Sequence, residues 1–219
     1  MTKLQITEEY ISFLLQEQQG HLSEMEKYAQ QNNVPIMEST GMQTLLQIIM
    51  LKKPANILEI GAAIGYSAIR MGIAVPNATI VTIERDESRI IEAKKNIEKV
   101  SMNEQIHLVE GDALKVVEKV AKYAPYDVLF IDAAKGQYEQ FFELYEPYVN
   151  IGGLIISDNV LFKGMVAGET EIHSKRLKPM INKLRRFNEK MMSESRFTSM
   201  IYPIGDGVMV SIKNSKCDE

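Results

Sequence analysis

The stretch Asn56-Ile57-Leu58-Glu59-Ile60-Gly61-Ala62-Ala63-Ile64-Gly65-Tyr66-Ser67 decides the fold. A short apolar run stops at one glycine, and a helical pattern opens after a second. Such a run reads as a buried strand, and glycines permit a tight turn and close backbone approach to a ligand. The spacing is Gly-x-x-x-Gly, not the Gly-x-Gly-x-x-Gly of a dinucleotide loop. Alone, the segment serves equally well as a plain strand-to-helix turn.

Downstream the rhythm repeats. Apolar runs at Thr79–Glu84, Ile106–Glu110, Val128–Asp132 and Leu154–Ser157 alternate with helical stretches at Tyr66–Ala74, Glu87–Val100, Ala113–Lys122 and Tyr138–Tyr148. This alternation predicts a parallel sheet covered on both faces by helices. Nearly continuous apolar character is what strands buried on both sides require. The end departs from the rhythm. A basic helical stretch, Ser174–Met192, precedes runs at Thr198–Tyr202 and Val208–Ile212, with Gly205-Asp206-Gly207 between them as a hairpin turn.

Upstream, residues 4–33 read as two helices. The first has Leu4, Tyr10, Ile11, Leu14 and Leu15 roughly on one face; the second runs from His21 to Asn33 and stops at Pro35. Met42–Leu51 is a third helix, ended near Pro54. The expected architecture is one α/β domain: residues 1–53 helical, residues 54–213 a Rossmann-like core. Its sheet is seven-stranded and mostly parallel, with a C-terminal antiparallel hairpin.

Composition narrows the function classes. With 219 residues, 45% hydrophobic and 25% charged, the chain can bury a full core. A net charge of -4 gives no global attraction to nucleic acid or membrane. No apolar run approaches a membrane span, and Met1-Thr2-Lys3 leads into no signal-peptide core. Cys217 is the only cysteine, so no intramolecular disulfide can form, and a cytoplasmic location is expected. His21, His107 and His173 are scattered, and no His-Cys cluster points to zinc.

The ends of the apolar runs carry acids. Glu84 closes the second run, where a carboxylate can accept from both ribose hydroxyls. Asp112-Ala113 follows the third, where the acid can accept from an adenine amino group. Glu59, just before the glycine loop, repels a diphosphate but tolerates a cationic ligand. S-adenosylmethionine has a sulfonium, an ammonium and no phosphate. Asp132 follows the fourth run and Asp158-Asn159 the fifth, so neighbouring strand ends would bring two carboxylates and an amide oxygen within reach of one ion. That all-oxygen set favours Mg²⁺. Each acid taken singly reads as well as a solvated strand end or a helix cap. Lys135 is a surface lysine or, beside such a cation, a base for a hydroxyl proton.

These residues together resemble the cation-dependent class I O-methyltransferases of the catechol and caffeoyl-CoA type. The matching stretches are Leu58–Ser67, Glu84, Gly111-Asp112-Ala113, Phe130–Lys135, Asp158-Asn159-Val160, and Asp206-Gly207 with the strand after it. The likeness implies a Rossmann-like methyltransferase fold. It implies cofactor contacts at Gly61, Ser67, Glu84, Asp112, Ala113 and Asp132, with Met37 covering the methionine end. It implies Asp132, Asp158 and Asn159 as metal ligands, Lys135 as the catalytic lysine, and a homodimer.

Within that group the chain looks most like bacterial tRNA 5-hydroxyuridine methyltransferases, which make 5-methoxyuridine at the wobble position. Uracil O4 and a 5-hydroxyl are vicinal oxygens, as in a catechol, so either ring suits a chelating site. Lys175, Arg176, Lys178, Lys183, Arg185, Arg186 and Lys190 give one stretch a local basic excess. This is either a phosphate-contacting patch for a tRNA anticodon loop or a solvated helix face. The expected acceptor is thus a tRNA or, alternatively, a small aromatic with vicinal hydroxyls.

Overall fold

The computed structural model describes residues 3–215. Its seven-stranded sheet has the order β3-β2-β1-β4-β5-β7-β6. The strands are β1 (Asn56–Ile60), β2 (Thr79–Glu84), β3 (Ile106–Glu110), β4 (Tyr126–Ile131), β5 (Val149–Ser157), β6 (Phe197–Tyr202) and β7 (Val208–Lys213). The first five are parallel, and β7 pairs antiparallel with both β5 and β6. The helices are α1 (Lys3–Leu14), α2 (Gly20–Gln31), α3 (Ser39–Lys52), α4 (Tyr66–Ala74), α5 (Glu87–Lys99), α6 (Val117–Ala121), α7 (Tyr138–Tyr145) and α8 (Leu177–Ser193). Among the described residues no helix is long and apolar enough to cross a membrane.

Strand pleating divides the core in two. Ile57, Ile80, Val128 and Phe130 point to one face, where they pack with Met25 of α2, Leu45 and Ile49 of α3, and Ile69 of α4. Leu58, Val81, Leu129 and Ile131 point to the other, against Val120 of α6, Phe142 of α7, and Leu184 and Phe187 of α8. Every second residue of a central strand thus serves a different helical layer, which is why those strands read as unbroken apolar runs.

Several expectations shift, and the fifth strand begins at Val149 rather than Leu154. The helix foreseen over Ala113–Lys122 shrinks to α6, because the Asp112 carboxylate accepts from Leu114 N–H (3.0 Å) and the Asp112 carbonyl from Lys115 N–H (2.8 Å). Those bonds hold a turn where helix would start. The helix foreseen to Tyr148 ends at Tyr145, and a 3-10 turn over Glu146–Tyr148 carries Pro147. The basic helix starts at Leu177 rather than Ser174.

The apolar side chains that the sequence puts roughly on one face of the first helix lie outward where described, with Tyr10 63% and Leu14 60% exposed. The inward contacts are polar: Glu8 accepts from Thr40 O–H (3.1 Å), and Ser12 Oγ lies 3.3 Å from Ser39 Oγ. Cys217 and the Leu4 side chain lie outside the described residues.

Asp127 ties the beginnings of three strands. Its carboxylate accepts from the Ala55 and Asn56 N–H groups (2.7 and 3.2 Å) and from Asn150 Nδ2 (2.9 Å). Burial pushes its pKa up, but those hydrogen bonds and the Lys52 charge outweigh it and the net shift is downward. Its stabilising contribution is therefore present above the unfolded carboxylate range and lost as pH falls through the lowered value. Asp127→Ala is expected to cost about 1–2 kcal/mol in urea unfolding at neutral pH. The deficit should shrink in strong acid; a deficit independent of pH counts against the carboxylate.

Candidate active site

Lateral hydrogen bonds bring the strand ends level at the carboxyl edge of the sheet. Gly61 and Ala62 N–H groups donate to the Ile83 carbonyl (3.0 Å each), and Gly111 N–H to that of Glu84 (2.8 Å). Asp132 N–H donates to Ile60 (3.0 Å) and Asp158 N–H to Ile131 (3.1 Å). Because β7 is antiparallel, its beginning lies at this edge, and the turn preceding it joins the row. Strand order then sets the sequence of groups across the edge: Asp112, Glu84, the glycine loop, Asp132, Asp158, Asp206.

A cleft of about 490 Å³ opens along this row. Every residue assigned to the site from sequence lines it: Met37, Gly61, Ser67, Glu84, Asp112 and Ala113, together with Asp132, Lys135, Asp158 and Asn159. This is the binding crevice that open α/β sheets form at strand carboxyl ends.

The glycine loop is held tightly. Gly61 has φ +106°, and a Cβ there would overlap the carbonyl of Asp132. Ala63 sits at φ 46°, pinned by its N–H donating to Glu84 Oε2 at 2.8 Å. The other Glu84 oxygen accepts from Arg85 and Asp86 N–H groups (2.9 and 3.0 Å). Glu84 therefore shapes the loop and keeps lone pairs for a ligand.

Behind the loop, Glu59 is wholly buried. Its Oε2 accepts from Thr82 O–H at 2.5 Å, and its Oε1 has no partner among the described residues. Burial pushes its pKa up to about 7, opposed by the nearby Ser67 and Thr82 hydroxyls and helped by the Asp132 and Glu84 charges.

Tyr66, also lining the cleft, carries a role that nothing in the sequence marked. Its hydroxyl donates to Glu26 of α2 and accepts from Arg70 at 2.8 Å. This connection fastens α2 to the helix that follows the loop.

On the other side, Asp158 is 3% exposed and its carbonyl accepts from Tyr138 O–H at 2.8 Å. The next carbonyl but one, that of Val160, accepts from Asn188 Nδ2 at 2.9 Å. Asn159 takes a left-handed conformation, φ 55°, and its Nδ2 donates to Asp158 Oδ2 at 3.2 Å. Burial raises the pKa of both Asp132 and Asp158; for Asp158 the Asp132 charge adds to it, and Lys135 opposes the shift in each. Two carboxylates that burden one another, beside an amide, fit a hard divalent cation. The residues that would hold it are these three; among the described residues no group of three or more His, Cys, Asp or Glu is placed to hold a metal.

Lys135 opens a 3-10 turn after β4, with Nζ 5.6 Å from the ring centre of Phe162. Phe162, Lys163, Glu38 and Asp206 complete the mouth of the cleft. The basic stretch is partly consumed by the fold. Lys190 pairs with Glu139 and Glu143 (3.0 and 2.8 Å), and Arg185 donates to the Val166 and Met165 carbonyls (2.9 and 3.0 Å).

Residues 12–214 match the O-methyltransferase family model, and the chain belongs to that family, in its class I catechol and caffeoyl-CoA type. It is 32% identical over 184 residues to a catechol O-methyltransferase of Niastella koreensis, covering 82% of this chain and 81% of that one. Among solved structures it is similar to a candidate caffeoyl-CoA O-methyltransferase from Staphylococcus aureus, with TM-score 0.89, 35% identity, and 95% of this chain and 100% of that one covered. It is also similar to a Bacillus cereus O-methyltransferase in complex with SAH, with TM-score 0.82, 27% identity, and 95% and 97% covered. The protein is an S-adenosylmethionine-dependent O-methyltransferase.

Gly61→Ala is expected to weaken S-adenosylmethionine binding by about tenfold or more by calorimetry, since its Cβ must displace the Asp132 backbone. Unchanged affinity refutes the close approach as a binding feature. A second expectation concerns pH. Both raised carboxyls contribute stability below the unfolded carboxylate range, and it is lost as pH rises through their raised values. Mg²⁺ is expected to offset that loss, to bind more tightly as pH rises, and to release protons on binding. Calorimetry in buffers of unequal ionisation enthalpy measures the release; none at all removes these acids from the ligand set.

Proposed function

We propose that this enzyme carries out cation-assisted methyl transfer from S-adenosylmethionine to one oxygen of a vicinal pair on a planar ring. The observation that carries this reading is that the cofactor-type residues and the set Asp132, Lys135, Asp158 and Asn159 line one cleft. In it Glu84 accepts from the ribose hydroxyls, Asp112 from the adenine amino group, and Met37 covers the methionine end. Asp132, Asp158 and Asn159 would hold Mg²⁺, which would supply Lewis acidity that lowers an acceptor hydroxyl's pKa. Lys135 Nζ takes the hydroxyl proton. The acceptor oxygen attacks the methyl carbon in line, the carbon–sulfur bond breaks, and sulfur keeps the electron pair. Most of the acceleration comes from holding the two reactants in register.

The relatives named for catechol and caffeoyl-CoA favour a small aromatic with vicinal hydroxyls as acceptor. A second reading, the 5-hydroxyuridine of a tRNA wobble position, is supported by α8. Lys178 and Arg186 on it and Lys175 and Arg176 just before it are exposed, and Lys183 of α8 donates to the Gly136 carbonyl (3.2 Å) beside Lys135. A single-stranded anticodon base can splay into such a cleft. A cytoplasmic homodimer belongs to the same proposal.

Purified protein is expected to move a labelled methyl group from S-adenosylmethionine onto catechol, onto undermodified tRNA, or onto both. It should stop in chelator, and Asp158→Ala should abolish transfer while cofactor affinity stays within about threefold. Product on tRNA alone selects the RNA acceptor, and product on catechol alone the small phenol. Full activity in chelator sinks the cation, and no product on either acceptor leaves a cofactor-binding module.

A further inference from the structure

The acceptor side of the cleft has a wall whose conformation its own residues do not favour. Phe162 and Lys163 both lie in the left-handed region, at φ 36° and 55°, and Gly164 follows at φ 71°. A β-carbon is crowded there, so non-glycine residues hold such angles only when their surroundings impose them. The surroundings are the turn between β6 and β7. Asp206 Oδ1 accepts from Lys163 N–H at 2.9 Å. The Asp206 carbonyl accepts from Leu161 and Phe162 N–H groups at 2.8 and 3.0 Å, and the Gly207 carbonyl from Val160 N–H at 3.0 Å. A Cβ at Gly207 would stand 2.5 Å from the Leu161 side chain, so the two segments lie flush. The turn is braced in its own right, since Gly205 N–H donates to Glu8 of α1 at 2.6 Å.

We infer that Asp206 is a positioning residue for the acceptor. Its carboxylate and carbonyl mould Leu161–Lys163 into the turn that sets the Phe162 ring against Lys135 and into the cleft. The inference rests on the proposal that the acceptor ring lies beside Lys135 and Asp158. The ring then gives a flat apolar wall for a planar acceptor, and it keeps the Lys135 side chain at its face, with Nζ 5.6 Å from the ring centre. Asp206 acts on the acceptor through Phe162 and Lys163. Its carboxylate makes a side-chain bond to Lys163 N–H, and a substitution can remove that bond while leaving the backbone carbonyl in place.

The test compares Asp206→Ala with Asp206→Asn, whose amide oxygen still accepts from Lys163 N–H, and Phe162→Leu with Phe162→Tyr. Three quantities are read: KM for whichever acceptor the wild type methylates, cofactor affinity by calorimetry, and hydrogen exchange of the peptide spanning residues 159–168. Asp206→Ala is expected to raise acceptor KM about tenfold, leave cofactor affinity unchanged and speed exchange in that peptide. Asp206→Asn should rescue both effects. Phe162→Leu should raise acceptor KM with exchange unchanged, and Phe162→Tyr should keep it low.

Exchange unchanged in Asp206→Ala overturns the mould, and an Asn variant as impaired as the Ala variant shows that charge, not the hydrogen bond, matters. Equal loss of cofactor affinity makes the turn a general prop rather than a positioning device, which also overturns the inference. Should the wild type methylate no acceptor tested, the proposed function fails, while exchange in the two Asp206 variants still decides the mould.

Discussion

The carbonyl of Asp132 occupies the space in which any side chain at position 61 would begin. That contact holds the glycine loop and the strand end carrying Asp132 at one separation. Gly61 belongs to the loop after β1, and Asp132 follows β4, its parallel neighbour. The bond from Asp132 N–H to the Ile60 carbonyl fixes the same junction from the other direction. A methyl donor beside one strand and an acceptor beside the next can react only if that spacing is kept. Glycine is thus required at 61 by the neighbouring strand as much as by a bound cofactor.

Around this junction the fold gathers acids and gives them few cations. Asp132 and Asp158 burden one another, and Glu59 is buried behind the loop with one oxygen unpartnered. Isolated buried carboxylates are costly, so a site of this kind is stabilised when positive charge arrives. The sulfonium and ammonium of the methyl donor bring such charge, and a divalent cation brings more. Neighbouring contacts are supplied by the protein itself. Glu84 already holds loop amides, Tyr138 holds the Asp158 carbonyl, and Asn188 holds that of Val160. The cleft is rigid where hydrogen bonds close on themselves and electrostatically demanding where they do not.

Most site residues were legible because each closes an apolar run, and a parallel sheet brings the ends of such runs to one edge. Glu84, Asp112, Asp132 and Asp158 are found in this way from strand pattern alone. Tyr66, Tyr138 and Asn188 escape it. Each is an ordinary helical residue whose polar atom meets a partner far along the chain, and no local pattern encodes that distance. The first helix shows a related limit. Its apolar side chains repeat at helical spacing, but spacing does not say which face turns inward, and Glu8 and Ser12 bind Thr40 and Ser39 and turn the other face to the protein. The basic helix shows a third limit, since charge count cannot reveal that Lys190 and Arg185 are already engaged within the fold.

By itself, then, the sequence determined the alternation of strand and helix, the glycine loop, and the acids at the strand ends. These follow from periodicities of two and 3.6 residues and from the few residue types able to adopt a turn or bind a cation. Tertiary structure alone decided the order of those acids across the sheet edge and which side of α1 faces in. It also set the left-handed wall at Phe162 and Lys163, held by a turn that chain order leaves remote from them. The physical reason is that each depends on hydrogen bonds between segments far apart in sequence, and such bonds exist only after the sheet has brought the segments together.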